Sequence, residues 1–522
     1  MTVQRFHDET IDQYSYLVSA GGEAVAIDPS RRVRPYLEFL EDNKLRLRAI
    51  ILTHRPGAFA SGWAELRQLT GADLIGATTY HFHGEGKFIE AGRATMIPFG
   101  DGCHMQTQLT PGYTADSISV LGINSDAQVE AIFTGNLLLQ DGAGYPLPRP
   151  EDKNPLHNEK TYAKESYDSI YNKVLGFDQR ATVYAGFGEK AHFSKMGEAV
   201  HGRFNLTEAQ DESPVFDKKK IKNESDFVTW LTEDYPFVPA YVKGCLKGNQ
   251  EGYPLWSEAL LPFRGLLGEE HREDLVNPVA TRTVSQPVVE KQGNAVILGD
   301  KDVTVPAPQA APTQPMATSP EGSTRLSPAA PPVVIPLGIK EWLIDTRDAT
   351  DFKAGHPRNA INIQANGNFA LWLGAIVRPE ERFYVLTDTE EHAWQVAQSI
   401  AKIGYDRQLD GATRWVSGLE ELMEEPLDLD DFRDHHIGKY TVVDVRPPKP
   451  AIEDTRFYGA INVPVWELRD RWKEIPQDRP IVVHCGGGYQ SAIGASLLRK
   501  NLKGTTRVYD LGSHIEDFKA KR

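Results

Sequence analysis

Short apolar runs that stop at turn residues recur along this chain. Ala24-Val25-Ala26-Ile27 ends at Asp28-Pro29, Ala49-Ile50-Ile51-Leu52 ends at Thr53-His54, and Ile118-Ser119-Val120-Leu121 ends at Gly122. Runs bounded in this way predict buried strands, and the amphipathic stretches between them predict helices. Further along, one pattern occurs twice. Leu343-Ile344-Asp345-Thr346-Arg347 is followed by Gly355-His356 and Ala360-Ile361-Asn362-Ile363. Val442-Val443-Asp444-Val445-Arg446 is followed by Gly459-Ala460-Ile461-Asn462-Val463. Each copy reads as a short buried strand ending in Asp-x-Arg, a turn, a second short strand, and then strand–helix alternation. That order predicts a small α/β unit with a parallel sheet, present in duplicate.

Between the two regions, Val303 to Pro336 is dominated by Pro, Ala, Thr and Ser. Such a composition buries no core and predicts an extended linker. The expected organisation is therefore a first domain over 1–285, a Pro/Ala-rich linker over 286–334, and repeat units over 335–425 and 430–522.

Composition narrows the function classes. At 522 residues the chain is long enough for three or four domains, and 40% apolar with 25% charged residues describes an ordinary globular protein. A formal charge of −15 disfavours nucleic acid or an anionic membrane as partner. Three cysteines, Cys103, Cys245 and Cys485, make no disulfide framework and suit a reducing compartment. The first residues carry no apolar signal core and no apolar run reaches spanning length, so a cytoplasmic location is expected. The Asn-x-Ser/Thr matches at Asn205 and Asn223 then read as chance.

Chemistry concentrates at Cys485. The apolar run Ile481-Val482-Val483-His484 leads into Cys485, then Gly486-Gly487-Gly488-Tyr489-Gln490-Ser491, then a helical pattern. A thiol where strand meets helix faces the unpaired N–H groups of the helix start, which favour negative charge. Glycines let successive N–H groups turn inward as an anion-binding nest. His484 is expected on the far side of the strand, since side chains alternate. In the first repeat, Phe383-Tyr384-Val385-Leu386 runs instead into Thr387-Asp388-Thr389-Glu390-Glu391-His392, with no cysteine and with acids that repel an anion.

This loop, and the repeat that carries it, resemble rhodanese-type sulfurtransferases. Gln490 stands where many of that family have Arg. The resemblance implies Cys485 as nucleophile, residues Gly486 to Ser491 as the substrate-binding loop, Asp444 and Arg446 as a structural ion pair (Asp345 and Arg347 likewise), and an inactive first copy. A second resemblance, to the metallo-β-lactamase fold and its glyoxalase II-like and persulfide dioxygenase branch, covers the N-terminal region. It rests on Ile27-Asp28-Pro29, Thr53-His54, Thr110-Pro111-Gly112, Phe133-Thr134-Gly135 and Tyr184-Ala185-Gly186-Phe187-Gly188. Of the ligand positions this family implies, only His54 is kept. Pro56, Ala58 and Phe59 replace the other members of its motif, and Tyr113, Asn136 and Phe187 replace the later ligands. His54, Tyr113 and Asn136 are thus vestigial positions, so no cofactor is expected, neither iron nor zinc. His81, His83 and His104 lack a third ligand at a recognisable spacing.

The expected fold is α/β and α+β multidomain: a metallo-β-lactamase-like αββα sandwich followed by two rhodanese-like α/β domains with parallel sheets. The expected activity moves sulfane sulfur from thiosulfate or a low-molecular-weight persulfide to a thiol acceptor through a Cys485 persulfide, the N-terminal domain being a pseudoenzyme. The alternatives are a metal-dependent persulfide dioxygenase or thioester hydrolase in the N-terminal domain, and a non-enzymatic scaffold. Expected partners are a small sulfur donor and a thiol acceptor, with no nucleic acid and no membrane; self-association is compatible with the sequence.

Overall fold

Strands buried on both faces need two apolar surfaces to meet them, and the N-terminal unit supplies both. Thr2–Asp8, Gln13–Ala20, Glu23–Ile27, Arg46–Ile51, Asp73–Ala77 and Phe88–Ala91 lie side by side as one six-stranded sheet. A second six-stranded sheet runs, in spatial order, Arg203–Asn205, Thr182–Ala185, Val129–Gly135, Ile118–Ile123, Cys103–Leu109 and Met96–Phe99. Tyr16, Val18, Val25, Ile27, Ile51 and Ile75 of the first sheet pack with Met105, Ile118, Val120 and Phe133 of the second. The alternate residues Leu17, Ala24, Ala26, Ile50 and Leu74 pack instead with Tyr36, Leu40, Trp63 and Leu66. These last four come from helices Arg34–Asp42 and Trp63–Thr70 on the outer face. Burial on both faces explains why these strands read as continuous apolar runs instead of alternating ones. With helices Glu159–Asp168 and Glu224–Thr232 on the other side, the unit is the expected αββα sandwich.

The computed structural model describes residues 1–147, 158–275, 284–303 and 341–518, apart from 81, 85–87, 93, 189–190, 197–202, 293–294, 367 and 416–420. Most of the Pro-rich segment lies outside the described residues. Its expected start is corrected: Val284–Gln292 pairs antiparallel with Ala295–Val303, so strands occupy the beginning of 286–334. Asn205 and Asn223 have a structural role. Each caps a helix, accepting from the N–H of Glu208 and of Asp226 respectively.

The two repeats share one topology. Ile361–Asn362, Trp342–Asp345, Phe383–Thr387 and Leu409–Arg414 form a parallel sheet in that order; Ile461–Asn462, Thr441–Asp444, Ile481–His484 and Val508–Asp510 form the other. The likeness extends to hydrogen bonds. Asp345 holds Arg347 at 2.6 Å, and Asn362 donates to the carbonyls of Asp345 and Arg347. Asp444 holds Arg446 at 2.6 Å, and Asn462 donates to the carbonyls of Asp444 and Arg446. Each network ties the first strand to the turn after it.

All three units are in contact. Lys402 of the first repeat reaches Asp8 at 2.7 Å with both side chains buried, and Ala60 donates to the Lys402 carbonyl at 2.7 Å. Phe237 of the N-terminal unit stacks on Trp466 of the second repeat at 4.3 Å and on Trp372 of the first at 5.6 Å. Lys402→Ala leaves a buried carboxylate without its cation. It is expected to destabilise the contact by about 3–5 kcal/mol, seen as a lowered denaturation midpoint for the N-terminal unit and first repeat.

Candidate active site

Cys485 directly follows Ile481–His484, a strand hydrogen-bonded on both sides within its parallel sheet, and helix Tyr489–Leu502 starts four residues later. The carboxyl ends of parallel strands are where α/β sheets leave a crevice for ligands. Gly488 is the N-cap of the helix at φ +102°, a conformation costly for any residue with a Cβ. This geometry turns its N–H onto the Cys485 Sγ at 3.1 Å. No side chain caps the helix, so the first-turn N–H groups stay open to a ligand. Gly486 and Gly487 are exposed, and a Cβ on either would meet nothing within 4 Å. The site therefore opens to solvent over those two residues while the sulfur itself is buried.

Two residues expected to bind substrate have their hydroxyls engaged within the protein. Ser491 is fully buried, and its hydroxyl donates to the Gly488 carbonyl at 2.9 Å, so it shapes the loop. Tyr489 donates to the Gln364 carbonyl of the first repeat at 2.9 Å, so its hydroxyl fixes the helix start against the neighbouring unit. Gln490 is half-buried at the helix start. The sequence signalled the loop but not the Tyr489 partner, because Gln364 lies 125 residues away and only folding brings it near.

Beneath the loop, His484 is fully buried, edge-on to Phe457 at 5.0 Å, with its Nε2 3.8 Å from Asp444. Burial pushes its pKa down to about 4, which keeps it neutral near pH 7. Asp444 is held by Arg446, and Arg446 also reaches Asp454 at 3.4 Å. These groups underpin the strand end and do not line the loop.

In the first repeat the same junction carries different groups. The sheet registers pair Asp345 with Leu386 and Asp444 with His484, which puts Thr387 in the place of Cys485. Thr389 caps the following helix by accepting from the His392 N–H at 3.1 Å. Asp388 accepts from the His392 ring at 2.7 Å, and Glu390 and Glu391 fill the first turn. An anion would meet acids and an occupied helix end there.

The N-terminal unit has a second convergence, around His54. Thr53 donates its hydroxyl to Asp28 at 2.6 Å and so accepts from the His54 Nδ1–H at 3.0 Å. That leaves His54 Nε2 as an acceptor, facing the Asn136 amide at 3.3 Å. Tyr113 lies edge-on to His54 at 5.1 Å, Phe59 at 6.5 Å, and Phe187 lies edge-on to Tyr113 at 6.1 Å. All are buried, and burial pushes the Tyr113 phenol up, which keeps it protonated. Beside them is a cavity of about 700 Å³, walled by Phe59 and Phe187 and by Leu371 and Ile403 of the first repeat. Zinc or iron requires three or more N, O or S donors held together. One imidazole, hydrogen-bonded through Nδ1 to Thr53 and with Nε2 facing the Asn136 amide, a neutral phenol and aromatic rings do not fit that requirement. Among the described residues no group of three or more His, Cys, Asp or Glu could hold a metal ion. His81 lies outside the described residues. Cys103 packs between the two sheets, and Cys245 donates to the Ile403 carbonyl at 3.2 Å at the contact with the first repeat.

The rhodanese-like domain family matches residues 335–415 and 428–521. The hydroxyacylglutathione hydrolase of Pelagibacter ubique is 26% identical over 245 residues, 46% of this chain and 87% of that protein. A crystal structure of a metallo-β-lactamase from Staphylococcus aureus aligns at TM-score 0.55 and 18% identity, covering 79% of this chain and 98% of its own. A structure of ETHE1 from Myxococcus xanthus covers 48% of this chain and 98% of its own at 22% identity and TM-score 0.39. The chain thus joins an N-terminal metallo-β-lactamase fold to two C-terminal rhodanese-like domains. Among the described residues no helix is long and apolar enough to cross a membrane.

Two outcomes are expected. Gly488→Ala forces alanine to a left-handed φ and puts its Cβ 3.0 Å from the Gly512 carbonyl carbon. It should cost about 1–2 kcal/mol of stability, measured by urea denaturation. Protein incubated with zinc or ferrous iron and then desalted should hold no stoichiometric metal by elemental analysis, and His54→Ala should not change the result.

Proposed function

We propose that the chain is a sulfurtransferase whose second rhodanese-like domain carries sulfane sulfur on Cys485. The supporting observation is the Gly488 N–H on the Cys485 sulfur at an uncapped helix start, with Gly486 and Gly487 open to solvent. The Cys485 thiolate attacks the outer sulfur of thiosulfate or a small persulfide. An Sγ–S bond forms, the donor's S–S bond breaks, and its electron pair leaves with sulfite or with the donor thiolate. The terminal sulfur of the resulting persulfide then carries the negative charge. Gly488 and the first-turn N–H groups stabilise that charge without reorganising, an arrangement worth roughly 3–4 kcal/mol per donor in enzymes of this electrostatic type. An acceptor thiolate attacks the outer sulfur, the Sγ–S bond breaks, and Cys485 returns as thiolate, giving two half-reactions in turn.

On this proposal the N-terminal domain does no metal chemistry and serves as a scaffold. The aromatic filling around His54 and the buried Lys402–Asp8 contact support that reading. Incubation with thiosulfate should add about 32 Da, one sulfur atom, to the peptide bearing Cys485. Cys485→Ser should abolish both the adduct and turnover while leaving circular dichroism unchanged. Turnover that survives the substitution, or an adduct that never forms with any sulfane donor, refutes the proposal.

A further inference from the structure

Helix Tyr489–Leu502 is shared between the two repeats. Residues Ser491 to Leu498 are buried without interruption, whereas a helix packed on one side only shows an exposed stripe. It packs against strands Ile481–His484 and Val508–Asp510 of its own repeat and against Ile361–Asn362 of the first. Hydrogen bonds tie it to the first repeat and the connecting segment along its length. In the middle, the Asn362 N–H donates to the Ser496 Oγ at 3.1 Å. Near the end, Arg499 donates to Glu424 at 2.7 Å. At the start, Tyr489 donates its hydroxyl to the Gln364 carbonyl at 2.9 Å.

The start has the greatest need of such a tie. Helix ends fray, and a Ser, Thr, Asp or Asn at the cap position counters this by accepting from a first-turn N–H. The first repeat uses that device, with Thr389 accepting from the His392 N–H at 3.1 Å. In the second repeat a capping side chain would occupy N–H groups that an incoming anion needs. The cap position there is Gly488, which has no side chain to spend, and its own N–H is turned onto the Cys485 Sγ at 3.1 Å. The Tyr489 phenol reaches away to the other repeat and uses none of these groups. Its acceptor is itself fixed on both sides. Ile363 donates to the Asp345 carbonyl at 3.0 Å, and Ala365 donates to the Thr346 carbonyl at 2.8 Å.

We propose that Tyr489 is a positioning residue for sulfur transfer at Cys485, its bond to Gln364 standing in for a helix cap. The first repeat then holds the helix start from outside while the first-turn N–H groups stay free for the transferring sulfur. The copy that lacks a nucleophile is thereby part of the reactive assembly. This role rests on the sulfur-transfer reading for its substrate, but the aim of the N–H groups can be measured without turnover.

Alkylation of Cys485 by iodoacetate and by iodoacetamide, followed by mass spectrometry of its peptide, makes that measurement. Both reagents consume the same thiolate, so the ratio of their rates cancels its amount and reports how the loop receives a negative charge. In the full chain, Tyr489→Phe keeps the ring, and the Gln364 carbonyl still accepts from the Asn366 N–H at 2.9 Å. The variant should lower the iodoacetate-to-iodoacetamide ratio by about threefold. It should also lower kcat with thiosulfate by about tenfold. Ser496→Ala removes another tie between the same helix and the same repeat, yet should move neither quantity. An unchanged ratio in Tyr489→Phe, or an equal fall in Ser496→Ala, overturns the proposal. A wild type without turnover refutes the sulfur-transfer reading, and a ratio that still falls in Tyr489→Phe then supports the tie at the helix start.

Discussion

A single backbone N–H on a single sulfur organises the loop between strand Ile481–His484 and helix Tyr489–Leu502. Gly488 can point its amide at Cys485 only from a left-handed φ, and it holds that φ because a parallel strand and a long helix fix both ends of the loop. Strand Ile481–His484 is held in place by neighbours on both sides, and helix Tyr489–Leu502 is packed along its apolar residues. The Tyr489 hydroxyl then pins the helix start to the first repeat. Rigid surroundings matter here, since a donor aimed at a developing charge contributes most when it does not have to move.

The duplicated domain separates scaffold from chemistry. Both copies keep the Asp–Arg pair, the Asn that donates to its carbonyls, and the strand order of the sheet. They differ where strand gives way to helix. One copy has sulfur, glycines and an uncapped helix; the other has Thr387, a Thr389 cap and a run of acids. Charge and capping at the helix start, more than the fold, distinguish the two loops. The first copy still contributes to the assembly, through Gln364 under Tyr489 and through Glu381, which Arg469 grips at 2.8 Å.

In the N-terminal unit, aromatic rings pack around a buried imidazole. His54 survives as a neutral imidazole hydrogen-bonded through Thr53 to Asp28 and facing Asn136. Burial raises the Asp28 pKa to about 7, opposed by the two hydrogen bonds from Thr53. The cavity that remains beside Phe59 and Phe187 is walled in part by the first repeat, so fold and docking together define its shape.

From sequence alone came the two-part architecture, the duplicated Asp-x-Arg unit and the cysteine loop. All are written locally, in runs of apolar residues and in turn residues. The tertiary structure alone decided that the Tyr489 hydroxyl docks on the first repeat, that Phe237 stacks on tryptophans of both repeats, and that Lys402 meets Asp8. Those outcomes depend on which polar group finds which partner across long stretches of chain. A hydrogen bond or an ion pair is specified by the positions of two atoms, and a sequence pattern specifies only the faces on which they lie.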